Sequence, residues 1–297
     1  MSVNLPTHYV QQYSTNIALL LQQKGSKLRN AVMNGVHQGK QASPVDQIGK
    51  IEMQSVTSRF APMGRVDAPT DRRWVYPSDF DLPQMIDEFD KLRLITDPSS
   101  AYVTNAVFAA GRKFDSLICS AFTGTAYTGE SGGTSTSFTA ANEVDVAVGG
   151  ANSKLNVAKI KAVKEVMMSK HVDFDMEEVY IGITAADHAN LLNEIQVISS
   201  DFNSGRPVLV EGKITDFLGF KFIHCELIET ALAGTNEVTL PVWCKSGMHL
   251  GVWGDIKNSV AKRSDLQSEP WQLYTTMTAG ATRLEENKVY AIESYRA

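Results

Sequence analysis

The chain has 297 residues, 43% of them hydrophobic and 21% charged. That is enough to bury a sizeable core as one large domain or two ordinary ones, and it excludes a minimal scaffold. Lys and Arg number 28 against 33 Asp and Glu, a net charge of −5, which excludes an overall basic field that holds nucleic acid by charge. Three cysteines, Cys119, Cys225 and Cys244, are widely spaced among apolar neighbours and fit buried thiols in a reducing compartment better than a disulfide framework. The start lacks a basic region followed by an apolar core, and the apolar run 17–21 is too short to span a bilayer. The expectation is a chain made in the cytoplasm with no membrane partner.

In chain order, residues 8–33 place Tyr9, Tyr13, Ile17, Leu20 and Leu21 at helical spacing, with Gly25 interrupting before Leu28 and Val32 resume it. This predicts one broken amphipathic helix or two short ones. Residues 35–50, GVHQGKQASPVDQIGK, read as a flexible polar strap, so the helix becomes an arm whose apolar stripe needs a neighbouring subunit. Residues 50–80 hold two β-leaning runs about a Pro-containing turn at 68–71, a long hairpin. Its apolar residues are too dispersed for a buried face, while Arg59, Arg65, Arg72 and Arg73 predict polar contacts along it. An isolated ribbon is marginal in water, so this one should lie on something.

Asp97 as N-cap and Pro98 at the first helical position open a long helix over 97–122, with Val103, Val107, Ala110, Phe114, Leu117, Ile118 and Phe122 on one face. The Gly/Ser/Thr-rich stretch 123–153 reads as a surface excursion with at best short strands. From Lys154 the texture alternates. A helix buries Val157, Ile160, Val163 and Met167 and points Lys154, Lys159, Lys161 and Lys164 outward; a strand follows at 178–183; Thr184-x-x-Asp187 is a capping box opening a helix through Leu192. Strand, turn and strand come next over 205–229, punctuated by Gly212 and Gly219, then more strands over 238–255, and the extended runs 273–284 and 288–295 close a sheet begun earlier. The whole is an α+β body with two projections, an arm and a hairpin.

No constellation of catalytic residues emerges. Gly129-Glu130-Ser131-Gly132-Gly133 resembles the loop around a serine nucleophile, but nothing nominates His171 or His188 as its base, and a flexible Gly/Ser loop is the better reading. Residues 205–213 lack phosphate-loop spacing, and Lys213 is followed by Ile214 where a hydroxyl would hold magnesium. His224 and Cys225 point to opposite faces of a strand, and with Cys244 and His249 they include no C-x-x-C pair. Asp173, Asp175, Glu177 and Glu178 lack the Gly-centred calcium-loop pattern and read as a solvated turn. No catalytic residue, cofactor or metal is expected.

The order of parts carries more information than any motif. YVQQYSTNIALLLQQKGSKLRNAV, GKQASPVDQIG, RVDAPTDRRWVYP, and later VYIGITAADHANLL followed by GKITDFLGFKFI resemble the major capsid proteins of tailed bacteriophages, a fold shared with encapsulins and the herpesvirus capsid floor. The resemblance covers essentially the whole chain. It implies an N-terminal arm over 1–48, an extended hairpin loop over 49–82, and a peripheral domain over 83–139 with its spine helix at 97–122. An axial domain over 140–265 and return strands over 266–297 complete it. It further implies self-assembly through pentamers and hexamers into an icosahedral shell enclosing double-stranded DNA without sequence recognition, and location in the virion. Because only a short arm precedes the hairpin, a separate scaffolding protein is implied, together with a portal. The hairpin is Arg-rich with Lys50 at its base, which argues against a covalent link through a hairpin lysine. Tyr13, Leu20, Arg59, Arg65, Arg72, Arg73 and Trp74 are the expected inter-subunit contacts. The alternatives are an encapsulin-like compartment, with the same shell geometry, and a serine hydrolase using Ser131.

Overall fold

An i, i+4 row of Ala106, Ala110, Phe114, Ile118 and Phe122 gives helix α1 (Ser99–Thr123) of the computed structural model one buried face. Gly124 ends the helix: its N–H donates to the Ser120 carbonyl at 3.1 Å, and a Cβ there would stand 2.5 Å from that oxygen. The structure describes residues 21–39, 46–55, 58–59, 64–86, 99–194, 197, 212, 214–234, 236–267 and 269–296. The expected cap Asp97-Pro98 and the arm residues Tyr13 and Leu20 lie outside them.

The strands, in order, are β1 (Met33–Val36), β2 (Asp46–Ile48), β3 (Thr70–Trp74), β4 (Ser78–Ile86), β5 (Ala126–Thr128), β6 (Thr134–Thr136) and β7 (Glu143–Val144), then β8 (Val179–Ile183), β9 (Asp216–Phe217), β10 (Phe220–His224), β11 (Glu237–Cys244), β12 (Met248–Lys262), β13 (Trp271–Arg283) and β14 (Val289–Tyr295). Further helices among the described residues are α2 (Val157–Ser169), α3 (Ala185–Leu192) and α4 (Leu227–Ala231). Two compact units divide the chain, one including residues 79–112 and 254–277, the other including 26–78, 113–253 and 278–296. In the smaller unit β12, β13 and β4 are sheet neighbours in that order, and Thr275 Oγ1 bonds Asn258 Oδ1 at 2.7 Å between β13 and β12.

The larger unit is built on a six-stranded mixed sheet, β7-β14-β11-β8-β10-β9. β8 and β10 are parallel with α3 in the connection between them, and β11 runs antiparallel to both β8 and β14. The second half of β11 is buried on both faces, which is why VWC reads as a continuous apolar run and not as an alternation. α2 buries Val157, Ile160, Val163 and Met167, and Ile228 of α4 occupies the space a side chain at Gly182 would need, since a Cβ there would lie 2.5 Å from Ile228 Cδ1. The capping box of α3 forms as predicted, with Thr184 and Asp187 reciprocally bonded. Arg296 forks onto Asp187 and the Thr184 hydroxyl, tying the end of the chain to that cap.

Several expectations are corrected. Leu28 and Val32 do not continue a helix: Gly25 has φ +74°, and a single 3-10 turn at Arg29–Ala31 leads into β1, with Leu28, Ala31 and Val32 buried. The described parts of the strap are structured, because β1 pairs in parallel with β12 and β2 pairs antiparallel with β3. The hairpin does not turn at 68–71. Its paired strands are β2 and β3, and the described residues among 51–55 and 64–69 form no strand. Part of the Gly/Ser/Thr stretch joins that ribbon, since β5 pairs with β3 and β6 with β5, and Ala126 and Thr128 are buried. Lys159 is fully buried, its ammonium donating to the carbonyls of Ser153 at 2.7 Å and Glu293 at 2.6 Å. The acidic turn is paired as well as solvated: Lys288 bonds Glu177 at 2.7 Å, and Lys221 bonds Glu178.

Candidate assembly site at the hairpin base

Alternation along β3 sends neighbouring side chains to opposite faces. Arg72 faces outward and forks the carboxylate of Asp46, its register partner on β2, through Nε to Oδ1 at 2.6 Å and Nη2 to Oδ2 at 3.1 Å. The hydrogen bond from Asp46 raises the Arg72 guanidinium above its ordinary range. The same guanidinium lies 5.7 Å from the centre of the Trp74 ring. Trp74 donates its indole N–H to the Gly129 carbonyl at 2.7 Å. Gly129 and Gly132, at φ +86° and +73°, turn the β5–β6 connection beneath the aromatics; a Cβ at 132 would lie 2.4 Å from the Tyr76 hydroxyl. Only a residue without a side chain lets that loop pass so close.

Arg73 faces inward and is 6% exposed. Its Nη1 lies 3.3 Å from Glu286 Oε1, but neither atom makes a hydrogen bond among the described residues, so charge alone couples them. The other oxygen of Glu286 accepts from Arg283 Nε at 2.7 Å. Arg283 is fully buried, and its Nη1 donates to the carbonyls of Phe122 and Gly124, both at 2.8 Å. Its Nη2 reaches the Thr136 carbonyl at 3.4 Å. A cation suits this place because the last carbonyls of α1 have no intrahelical donors and carry the negative end of the helix dipole. One guanidinium thus joins the end of α1 to β6 and, through Glu286, to β3.

A second clamp holds the entering chain. Asp115, fully buried on α1, accepts from the Ser26 hydroxyl and from the backbone N–H groups of Lys27 at 2.9 Å and Leu28 at 3.0 Å. Trp243 of β11 donates to the Ala31 carbonyl at 2.9 Å and packs 4.6 Å, centroid to centroid, from Phe122. Neither Asp115, Glu286 nor Arg283 was marked by sequence, because each meets partners far away along the chain, 87–89 residues for Asp115 and 159–161 for the helix-end carbonyls of Arg283.

Of the expected contact residues, Arg72, Arg73 and Trp74 come together on β3; Arg59 is exposed in a turn, and Arg65 is exposed and paired with Asp67 at 2.7 Å. Exposed apolar residues follow in sequence from β2: Ile48 is 75% exposed, Ile51 59% and Met53 102%, with Val66 also exposed before β3. Ser131 is exposed at the tip between β5 and β6, and no histidine hydrogen-bonds it among the described residues. Among the described residues the serine-nucleophile arrangement is not formed.

A family model described as phage capsid protein matches residues 5–295. The chain belongs to the phage capsid protein family. Solved capsids share the fold of this capsid protein. A capsid structure of the cyanophage P-SCSP1u aligns at TM-score 0.73 with 15% identity, covering 96% of this chain and 92% of that one. The cyanophage Pam1 capsid aligns at TM-score 0.73 with 11% identity over 100% and 99% of the two chains. The capsid of a native GTA particle aligns at 0.69 with 11% identity over 99% and 98%. No curated protein matches the sequence. The α+β capsid fold expected from the order of parts is the fold observed, and the chain is a structural shell protein.

Proposed function

We propose that this capsid protein associates with copies of itself into pentamers and hexamers of an icosahedral shell around the double-stranded DNA of a tailed phage. Residues 1–48 act as the arm, 49–82 as the extended hairpin loop, 83–139 as the peripheral domain with its spine helix, 140–265 as the axial domain and 266–297 as the return strands. The observation that carries this reading is the set of exposed Ile48, Ile51, Met53 and Val66, of which the last three lie on described chain between β2 and β3 that forms no strand, while Arg73 of β3 is buried and coupled to Glu286 and Arg283. Exposed apolar side chains are stabilised when a partner covers them, and repeated contacts between unlike patches of like subunits generate closed rings and shells. Arg59, Arg65, Arg72 and Trp74 supply the polar and aromatic part of the contact. DNA is enclosed without sequence readout, consistent with a net charge of −5. A separate scaffolding protein guides closure, a portal occupies one vertex, and synthesis takes place in the host cytoplasm before the protein enters the virion.

The test is negative-stain electron microscopy of the purified chain over a range of concentration and salt, with size-exclusion chromatography alongside. Rings, tubes or closed shells are expected. A chain that stays monomeric under every condition, including with its scaffolding protein co-expressed, would overturn the reading.

A further inference from the structure

Strands β1 and β12 pair in parallel with Gly35 opposite Gly251. Over these two glycines the rings of His37 and His249 meet, Nε2 to Nε2 at 2.8 Å, with the Trp253 ring 5.3 Å from His37. A Cβ at 35 would stand 2.7 Å from His249 Cε1, and one at 251 would stand 2.9 Å from His37 Cδ2. The paired glycines thus open a cradle that any other residue would fill. His249 is 5% exposed, and its Nδ1 has no hydrogen-bond partner among the described residues. A contact of 2.8 Å between two ring nitrogens is a hydrogen bond when one ring donates and the other accepts, which requires the accepting imidazole to be neutral. Burial, and then the neighbouring His37, hold His249 down to about 4, and burial also lowers His37. Among the described residues no carboxylate or ammonium of β1, β12 or the adjacent β13 acts on either ring; His37 is the titratable group that acts on His249.

We propose that the His37–His249 pair is an acid-released latch, which keeps β1 on β12 at neutral pH and lets it go when the accepting ring takes up a proton. The proton enters at the accepting nitrogen, so that two N–H groups face each other where one hydrogen bond stood, and the cation lies in a cradle with no counter-charge. The rings part, and the backbone bond from His37 N–H to the Val252 carbonyl, 3.0 Å in the closed form, opens with them. Release is local because the chain is fixed on both sides, by Asp115 at residues 26–28 and by the Arg72–Asp46 pair at β2. Met33 and Val36, exposed apolar residues of β1, become free to take new neighbours. The latch belongs to the subunit and stands whether or not the shell reading does.

The experiment is hydrogen–deuterium exchange of the full chain from pH 7.5 to 4.5, corrected for the intrinsic pH dependence of exchange. Protection of the 33–37 segment should fall about tenfold per pH unit below about 6.5, since one proton is taken up per opening, while β11 and β14 stay protected. His37→Gln, whose amide accepts from a protonated His249 as well as it donates to a neutral one, should keep its protection through the same range. Constant protection of residues 33–37 in the parent, an acid loss shared equally by β11 and β14, or an unchanged acid loss in His37→Gln would each overturn the latch.

Discussion

Arg72 and Arg73 are chemically identical neighbours with opposite roles. Arg72 forms an exposed ion pair, 41% exposed on its own side and 65% on that of Asp46, and solvent screening keeps such pairs within about 1 kcal/mol. Arg283 is the converse: it satisfies helix-end carbonyls inside the protein. Arg283→Met should therefore destabilise the subunit by about 3 kcal/mol or more, because it orphans the Phe122 and Gly124 carbonyls and leaves Glu286 short of a cation. Arg283→Lys should recover little, since an ammonium cannot reproduce the planar fork. Urea titrations of both variants beside Arg72→Ala check this, and an Arg283→Met midpoint close to that of Arg72→Ala would remove Arg283 from the centre of the site. Lys159 adds a pH signature. Burial holds its ammonium down to about 8, whereas in the unfolded chain it titrates near about 10.4. Between those values the unfolded state binds the extra proton, so this group's contribution to stability grows as pH rises and is lost as pH falls through 8. Lys159→Met should remove that slope, read as a parent-minus-variant stability difference that increases from pH 8 to 10.

At the scale of elements, close backbone approach makes one glycine indispensable. A Cβ at Gly280 on β13 would lie 2.1 Å from the Tyr76 carbonyl oxygen, and backbone cannot swing aside as a side-chain tip can. Gly280→Ala should destabilise by about 1–3 kcal/mol or more and lower the melting temperature accordingly, whereas alanine at Gly39, with nothing within 4 Å but φ +89°, meets only backbone strain. The legible elements were those whose signal is local. α1 declares itself by its i, i+4 row, α3 by Thr184-x-x-Asp187, and the β9–β10 turn by Gly219. β1 and β2 were illegible for the opposite reason: MNGV and DQI carry no alternation, and β1 becomes a strand because β12, some 200 residues later, offers it an edge. Lys159 misled because a lysine on a helix face reads as solvated unless two backbone carbonyls are known to wait for it. The base of the candidate site was half legible: the arginines of β3 were visible, but Arg283 and Glu286, which decide which of them is buried, were not.

For the whole molecule, the question is whether the apolar run beside β2 is a fault or a contact. Ile48, Ile51 and Met53 lie within six residues and are largely in water, and each gains about 1.5–3 kcal/mol if a partner covers it fully. Three such residues repeated around a ring exceed what surface ion pairs such as Arg65–Asp67 and Arg72–Asp46 provide, so the apolar contacts should set the strength of assembly and the ion pairs its register and salt dependence. Replacing Ile48, Ile51 and Met53 together by Ser should leave subunit stability almost unchanged, because these side chains lose little on unfolding. Assembly should be lost or shifted to at least tenfold higher protein concentration, a shift equal to about 1.4 kcal/mol per contact. Sedimentation velocity of the variant and the parent at matched concentrations separates the outcomes. A variant that assembles as the parent does would place the governing contact elsewhere, and one that fails to fold would show that the run packs within its own subunit.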